Sequence, residues 1–214
     1  MARGAPLHRI VLERAVDGCD VVRLKGGDPM IFGRGGEEAE QLAALRIPFE
    51  IVPGVSAALG AAASTGIPLT HRDASASVSF VTAHTRHGDV DDDLAARVPR
   101  TGTIVLYMGL AALRETARAL VESGRAPTTP VAVVSHATLP TQREIIADLS
   151  TIADVVEAAR VEAPALVIVG QVVARRSTSP VATRHTVPAS DDGAPESRAE
   201  TTRMRSAALF PTRD

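Results

Sequence analysis

Short, almost uniformly apolar runs alternate with helix-like segments along this chain, and this alternation restricts the fold more than any other feature of the sequence. A strand exposed on one face would alternate apolar and polar residues, so these runs predict strands that are buried on both faces. We therefore predict an α/β fold in which helices cover both sides of a largely parallel sheet. The predicted strands are 21–24, 49–52, 78–82, 103–107, 131–135 and 165–169, and the predicted helices are 7–15, 37–46, 57–63 and 111–123.

The order of these segments predicts how the chain divides into domains. We expect a partial N-terminal α/β domain at 1–88, a C-terminal α/β domain at 103–174 after a charged hinge, and a disordered tail rich in Ser, Thr, Pro and Arg at 175–214. A parallel sheet usually opens with a strand whose following loop is rich in glycine. The first segment here is a helix, so we expect that the first strand and loop of the first domain are missing.

Charge and cysteine content exclude several classes of protein. The 23 basic residues nearly balance the 25 acidic ones, so no overall attraction to nucleic acid or to a membrane surface is expected. Cys19 is the only cysteine, which excludes an intramolecular disulfide and a thiolate cluster, and His84 and His87 lack a third metal ligand at suitable spacing. No run approaches the ~20 apolar residues of a membrane-spanning helix. We predict a cytoplasmic protein without a metal site, whose anionic ligands would be bound by local arginines.

The densest group of chemically informative side chains lies at 24–38, which reads LKGGDPMIFGRGGEE. Gly26 and Gly27 end a predicted strand, where bare backbone lets a ligand approach closely. The carboxylate of Asp28 would repel phosphate but suits ribose hydroxyls or a cationic sulfonium. An ordinary turn is the alternative interpretation of these glycines.

Further candidate residues lie near the starts of helices and the ends of strands. Arg34 and Glu37 are three residues apart across a helix start and should project near the same spot, where a guanidinium would suit carboxylates. Glu37 could instead simply favour the helix N-terminus. Ser56 either caps the next helix or bonds a ligand. Spacing alone predicts a surface residue at His84 and core packing at Met108.

Residues 24–38 closely resemble the signature block of the uroporphyrinogen-III C-methyltransferases, which are tetrapyrrole methylases. The resemblance continues through VPGVSAA at 52–58, GIPLTHR at 66–72, YMG at 107–109 and PALVIVG at 164–170. It covers about residues 7–174, and only the tail is unrelated.

The resemblance implies two α/β domains with S-adenosyl-L-methionine in the cleft between them, in a chain that is usually a homodimer. The residues that it implies as cofactor contacts are Gly26, Gly27, Asp28, Ile31, Ser56, Ala57, Met108 and Ala137. Those that it implies as the wall facing the tetrapyrrole are Arg34, Glu37, Arg72, His84 and Met108. Arg34 is the expected catalytic residue, either assisting proton removal or stabilising developing charge, and no metal is required.

The implied activity is C-methylation of uroporphyrinogen III to precorrin-2, which leads to sirohaem or cobalamin. Two alternatives stay open at this point. Because the first cofactor loop is expected to be missing, the chain could be a non-catalytic remnant that only binds a tetrapyrrole. It could also be a methylase that acts on a later precorrin.

Overall fold

The computed structural model describes residues 9–83 and 98–177. These residues form five helices, α1 to α5, five strands, β1 to β5, and one 3₁₀ turn. The helices are α1 (Arg9–Val16), α2 (Gly35–Ala44), α3 (Ala57–Thr65), α4 (Leu113–Glu122) and α5 (Ile152–Ala158). The strands are β1 (Val78–Thr82), β2 (Thr103–Tyr107), β3 (Pro130–Ser135), β4 (Arg143–Asp148) and β5 (Ala165–Val169), and the 3₁₀ turn is Gln171–Arg175. None of the helices in these described ranges is long and apolar enough to cross a membrane.

The five strands form one mixed sheet in the order β1-β2-β5-β3-β4. Only β1 and β2 pair in parallel, whereas β2 with β5, β5 with β3, and β3 with β4 pair antiparallel. The α/β class is confirmed, but the prediction of a largely parallel sheet was wrong. Uniform apolarity indicates burial on both faces and carries no information on strand direction, which depends on how the connections run.

Both faces of the sheet are covered, as the apolar runs predicted. Ile104 and Leu106 point into one core, which they share with α4 and α5. Val105 and Tyr107 point to the other side, where they pack with α3 and the 3₁₀ turn. Successive strand residues face opposite sides of a sheet, so every residue of β2 is buried by one layer or the other.

Two predicted strands, 21–24 and 49–52, are not strands in the structure. Val22 and Leu24 are 89% and 85% exposed, and no described strand lies beside either segment. The two segments instead line a cavity of about 920 Å³, together with parts of α1 and α2. A β-branched run becomes a strand only when a neighbouring backbone accepts and donates its hydrogen bonds, so propensity alone misled the prediction.

The opposite error occurred at β4, which the apolar pattern did not predict. Its residues are exposed or half-buried, and it begins with Arg143 and Glu144 and ends with Asp148. It lies at the edge of the sheet, where charged side chains are common because one side of the strand faces solvent.

The proposed division into domains and the disordered tail stay predictions, because 84–97 and 178–214 lie outside the described residues. Within the described part of the hinge, the carbonyls of Pro99, Thr101 and Gly102 accept hydrogen bonds from the buried guanidinium of Arg125. Burial lowers the pKa of Arg125, and these three carbonyls compensate part of its desolvation.

Candidate functional site

A largely apolar cavity of about 820 Å³ opens at the side of the sheet where β2 and β3 end. The last residues of β2 and β3 line it together with the first residues of β5, which reach the same edge because β5 runs antiparallel to both. The start of α3 forms another wall. The lining residues used below are Gly27, Ser56, Ala57, Tyr107, Met108, His136 and Ala137.

The glycine loop, residues 26–34, enters this cavity through Gly27, which packs against the turn before α3. Gly27 has a left-handed φ of 83°, and its carbonyl oxygen lies 2.5 Å from where a Cβ on Gly54 would be placed. The carboxylate of Asp28 joins the two segments, since its Oδ1 accepts a hydrogen bond from the Met30 amide at 2.8 Å and its Oδ2 accepts one from the Gly54 amide at 3.0 Å. Asp28 thus clamps the loop to the turn, and it does not line the cavity.

Ser56 precedes α3, but its side chain does not cap the helix as the simpler interpretation expected. Its Oγ lies 2.6 Å from the hydroxyl of Tyr107, which also accepts a hydrogen bond from the amide of Ala58 at 3.1 Å. A tyrosine from β2 therefore performs the capping that a serine side chain usually provides.

Two residues just beyond strand ends have left-handed backbones at the cavity. Met108 follows β2 with a φ of 55°, and His136 follows β3 with a φ of 49°. Such conformations are costly for residues with a side chain and are concentrated at functional sites. Met108 is 52% exposed and lines the cavity, so the prediction of core packing from spacing alone was wrong.

Arg34 and Glu37 meet in the structure, as their spacing predicted. Arg34 Nε and Nη2 donate to Glu37 Oε2 at 3.0 and 2.6 Å, and both side chains are about half exposed. The hydrogen bond and the charge of Glu37 raise the pKa of the Arg34 guanidinium. Any arginine keeps its positive charge in a protein, so Arg34 is unsuited to accept a proton.

A second ion pair anchors the glycine loop, and sequence reasoning missed it. Lys25 Nζ lies 2.9 Å from Glu38 Oε2 and donates a hydrogen bond to the carbonyl of Gly33, and both charged side chains are largely buried. Lys25 and Glu38 are thirteen residues apart, so no helical or strand spacing links them. The only signal was the position of the single lysine beside the glycines.

The chain matches the sequence pattern of the tetrapyrrole (corrin/porphyrin) methylases over residues 5–153. It belongs to the tetrapyrrole methylase family. Similar proteins include a siroheme synthase of Azotobacter vinelandii, which is 51% identical over 170 residues, or 79% of this chain and 37% of that protein. A siroheme synthase of Gluconobacter oxydans is 49% identical over 178 residues, or 81% of this chain and 37% of its own length. The chain thus spans little more than a third of these relatives.

Solved structures of tetrapyrrole methylases share the fold. The uroporphyrin-III C-methyltransferase of Thermus thermophilus, solved with S-adenyl homocysteine, is 40% identical with a TM-score of 0.69, and the match covers 78% of this chain and 73% of that one. A cobalt precorrin-4 methyltransferase is 26% identical with a TM-score of 0.70, and the match covers 79% of this chain and 73% of that one.

The cavity brings together five of the residues that the family resemblance implied as cofactor contacts: Gly27, Ser56, Ala57, Met108 and Ala137. Gly26, Asp28 and Ile31 belong to the same loop but do not line the cavity. Arg72 is exposed on the turn 71–75 and lines neither cavity, and His84 lies outside the described residues. Tyr107 and His136 line the cavity although they were not predicted as contacts.

Proposed function

We propose that this member of the tetrapyrrole methylase family uses S-adenosylmethionine to methylate carbon atoms of uroporphyrinogen III, giving precorrin-2 for sirohaem or cobalamin biosynthesis. One observation carries the proposal. Four separate segments converge on a single cavity, and they contribute Gly27, the pair Ser56 and Ala57, Met108, and Ala137.

The walls of the cavity fit this cofactor. No Lys, Arg, Asp or Glu side chain among the described residues lines it, so it lacks the cations that a nucleotide phosphate needs. Backbone at Gly27 and the hydroxyl of Ser56 suit the ribose hydroxyls and the zwitterionic amino-acid group, and Met108 and Ala137 supply apolar surface. When bound, S-adenosylmethionine supplies a methyl group on a cationic sulfonium. The main task of the protein is then to position the two reactants in line.

The loop that carries Arg34 lies beside the cavity, because the ring of Phe32 contacts that of Tyr107. Uroporphyrinogen III bears many carboxylates, and Arg34 and Arg72 are proposed to bind them by charge-assisted hydrogen bonds. Glu37 and His84 are proposed as further tetrapyrrole contacts because the family resemblance implies them. Because a guanidinium stays protonated in proteins, the proposed catalytic role of Arg34 is to stabilise developing charge and not to remove a proton.

Sequence identity to solved enzymes of the family supports uroporphyrinogen III as the substrate. The 40% match to a uroporphyrin-III enzyme exceeds the 26% match to a cobalt precorrin-4 enzyme at nearly equal TM-scores, which favours uroporphyrinogen III over a later precorrin. Tetrapyrrole binding without turnover is the second candidate. The segments 21–24 and 49–52 favour it, because they pair with no strand and line the 920 Å³ cavity directly beside the glycine loop.

The test is to incubate the chain with uroporphyrinogen III and methyl-labelled S-adenosylmethionine and to separate the products by chromatography. Labelled precorrin-2 is the expected product. Arg34→Ala should lower turnover, whereas Arg114→Ala, which removes an arginine from the α4 surface, should not. Binding of uroporphyrinogen without labelled product would establish the second candidate, and no binding of cofactor or tetrapyrrole would refute both.

We also propose that the protein acts in the cytoplasm as a homodimer. The single cysteine, exposed Cys19, suits a reducing compartment. Sedimentation equilibrium should give twice the chain mass of 22.3 kDa, and a value near the chain mass would refute the dimer.

A further inference from the structure

Tyr107 links several of the segments that surround the cavity. It is the last residue of β2 and the only tyrosine in the chain, and it is 8% exposed. Its ring centroid lies 4.7 Å from that of Phe32 and 5.9 Å from that of Phe80. Its hydroxyl lies within hydrogen-bond distance of Ser56 and Ala58. One side chain thus touches the glycine loop, the start of α3 and β1.

The hydrogen bonds of Tyr107 allow Ser56 to act as a hydrogen-bond donor to a ligand. The Ala58 amide can only donate, so the Tyr107 oxygen accepts from it. The Tyr107 hydroxyl can then donate its own hydrogen to Ser56 Oγ at 2.6 Å. With its oxygen acting as acceptor, Ser56 keeps its hydroxyl hydrogen for donation into the cavity that it lines.

We propose that Tyr107 is a positioning residue of the cofactor site. It holds the start of α3 against the glycine loop and orients Ser56 as a hydrogen-bond donor toward the ligand. Met108, the next residue, has a left-handed backbone and lines the same cavity, so the position of Tyr107 also sets that of Met108. This inference rests on the proposed function, because it takes S-adenosylmethionine as the ligand of the cavity.

A buried hydroxyl at the other end of α3 provides a matched control. Thr65 Oγ1 is buried and donates to the carbonyl of Ala61 at 2.7 Å. Thr65 does not line the cavity. Tyr107→Phe and Thr65→Val each remove one hydroxyl with little change in shape, and both touch α3. Only a positioning role predicts that they differ in ligand affinity.

The experiment is isothermal titration of the chain with S-adenosylhomocysteine. Tyr107→Phe should weaken binding by about five- to tenfold, which corresponds to one lost hydrogen bond, while Thr65→Val should leave the affinity unchanged. Ser56→Ala should weaken it similarly, and the double variant Ser56→Ala with Tyr107→Phe should be no weaker than the weaker single variant, because the two residues act through one bond.

Amide hydrogen exchange tests the same inference without ligand. Exchange at Ala58 should be faster in Tyr107→Phe than in the unmodified chain, because its amide loses its acceptor. Unchanged exchange at Ala58, equal affinity in Tyr107→Phe, or additive effects in the double variant would each overturn the positioning role. Failure of the unmodified chain to bind S-adenosylhomocysteine would instead refute the proposed function itself.

Discussion

Replacement of Gly54 by alanine should separate the glycine loop from the turn before α3. The added Cβ would lie 2.5 Å from the carbonyl oxygen of Gly27, about 0.9 Å closer than the 3.4 Å at which ordinary contact begins. The neighbouring atoms are backbone and cannot rotate away. Moving the segments apart by that distance would stretch the hydrogen bond from the Gly54 amide to Asp28 Oδ2, now 3.0 Å, beyond hydrogen-bonding range.

The expected loss of stability combines two contributions. Overpacking costs ~1–3 kcal/mol, and the loss of a hydrogen bond to a charged group costs ~1.5–3 kcal/mol, with the low end appropriate here because the bond is exposed. We expect Gly54→Ala to lower the free energy of unfolding by about 2.5–4.5 kcal/mol and the Tm by about 5–18 °C. Affinity for S-adenosylhomocysteine should fall as well, because Gly27 would be displaced from its place beside Ser56 in the wall of the cavity.

Urea unfolding followed by circular dichroism measures this loss, and Gly36→Ala is the matched control. A Cβ on Gly36 would meet only Met30 Cε at 3.8 Å, and Gly36 lies within α2. That substitution should therefore stabilise the protein by ~0.5–1 kcal/mol, as alanine does in a helix. If the free energy of unfolding of Gly54→Ala were within about 0.5 kcal/mol of that of the unmodified chain, the close approach of the two segments would be refuted.

Two further predictions concern the hinge end and the cavity edge. Arg125→Met should lower the free energy of unfolding by about 2–4 kcal/mol in urea titrations, because three backbone carbonyls lose their buried donor. Arg114→Ala, which removes exposed ion pairs, should cost less than about 1 kcal/mol, and equal losses would contradict this reasoning. Met108→Gly should relieve the left-handed backbone while weakening the binding of S-adenosylhomocysteine in calorimetry, and unchanged affinity would show that its side chain contacts no ligand.

The sequence predicted those elements best whose apolar runs are buried on both faces. β1, β2 and β5 have the predicted bounds, and α4 ends just before Gly124, whose φ of 103° terminates the helix. The prediction failed where a strand depends on its neighbours, as at 21–24 and 49–52, and where charged residues mark an edge strand, as at β4. The apolar pattern of a segment indicates which of its residues are buried, whereas strand pairing depends on two segments together.

For the site, the sequence by itself determined the glycine turn at 26–28, the Arg34–Glu37 pair and the start of α3, because each depends on residues a few positions apart. Only the tertiary structure decided that Tyr107 bonds Ser56, which is 51 residues away, and that Asp28 bonds the Gly54 amide, 26 residues away. It also decided that strands of opposite direction bring their ends to one cavity. Local spacing constrains backbone angles and burial, whereas contacts between distant segments exist only once the sheet and its covering helices have closed together.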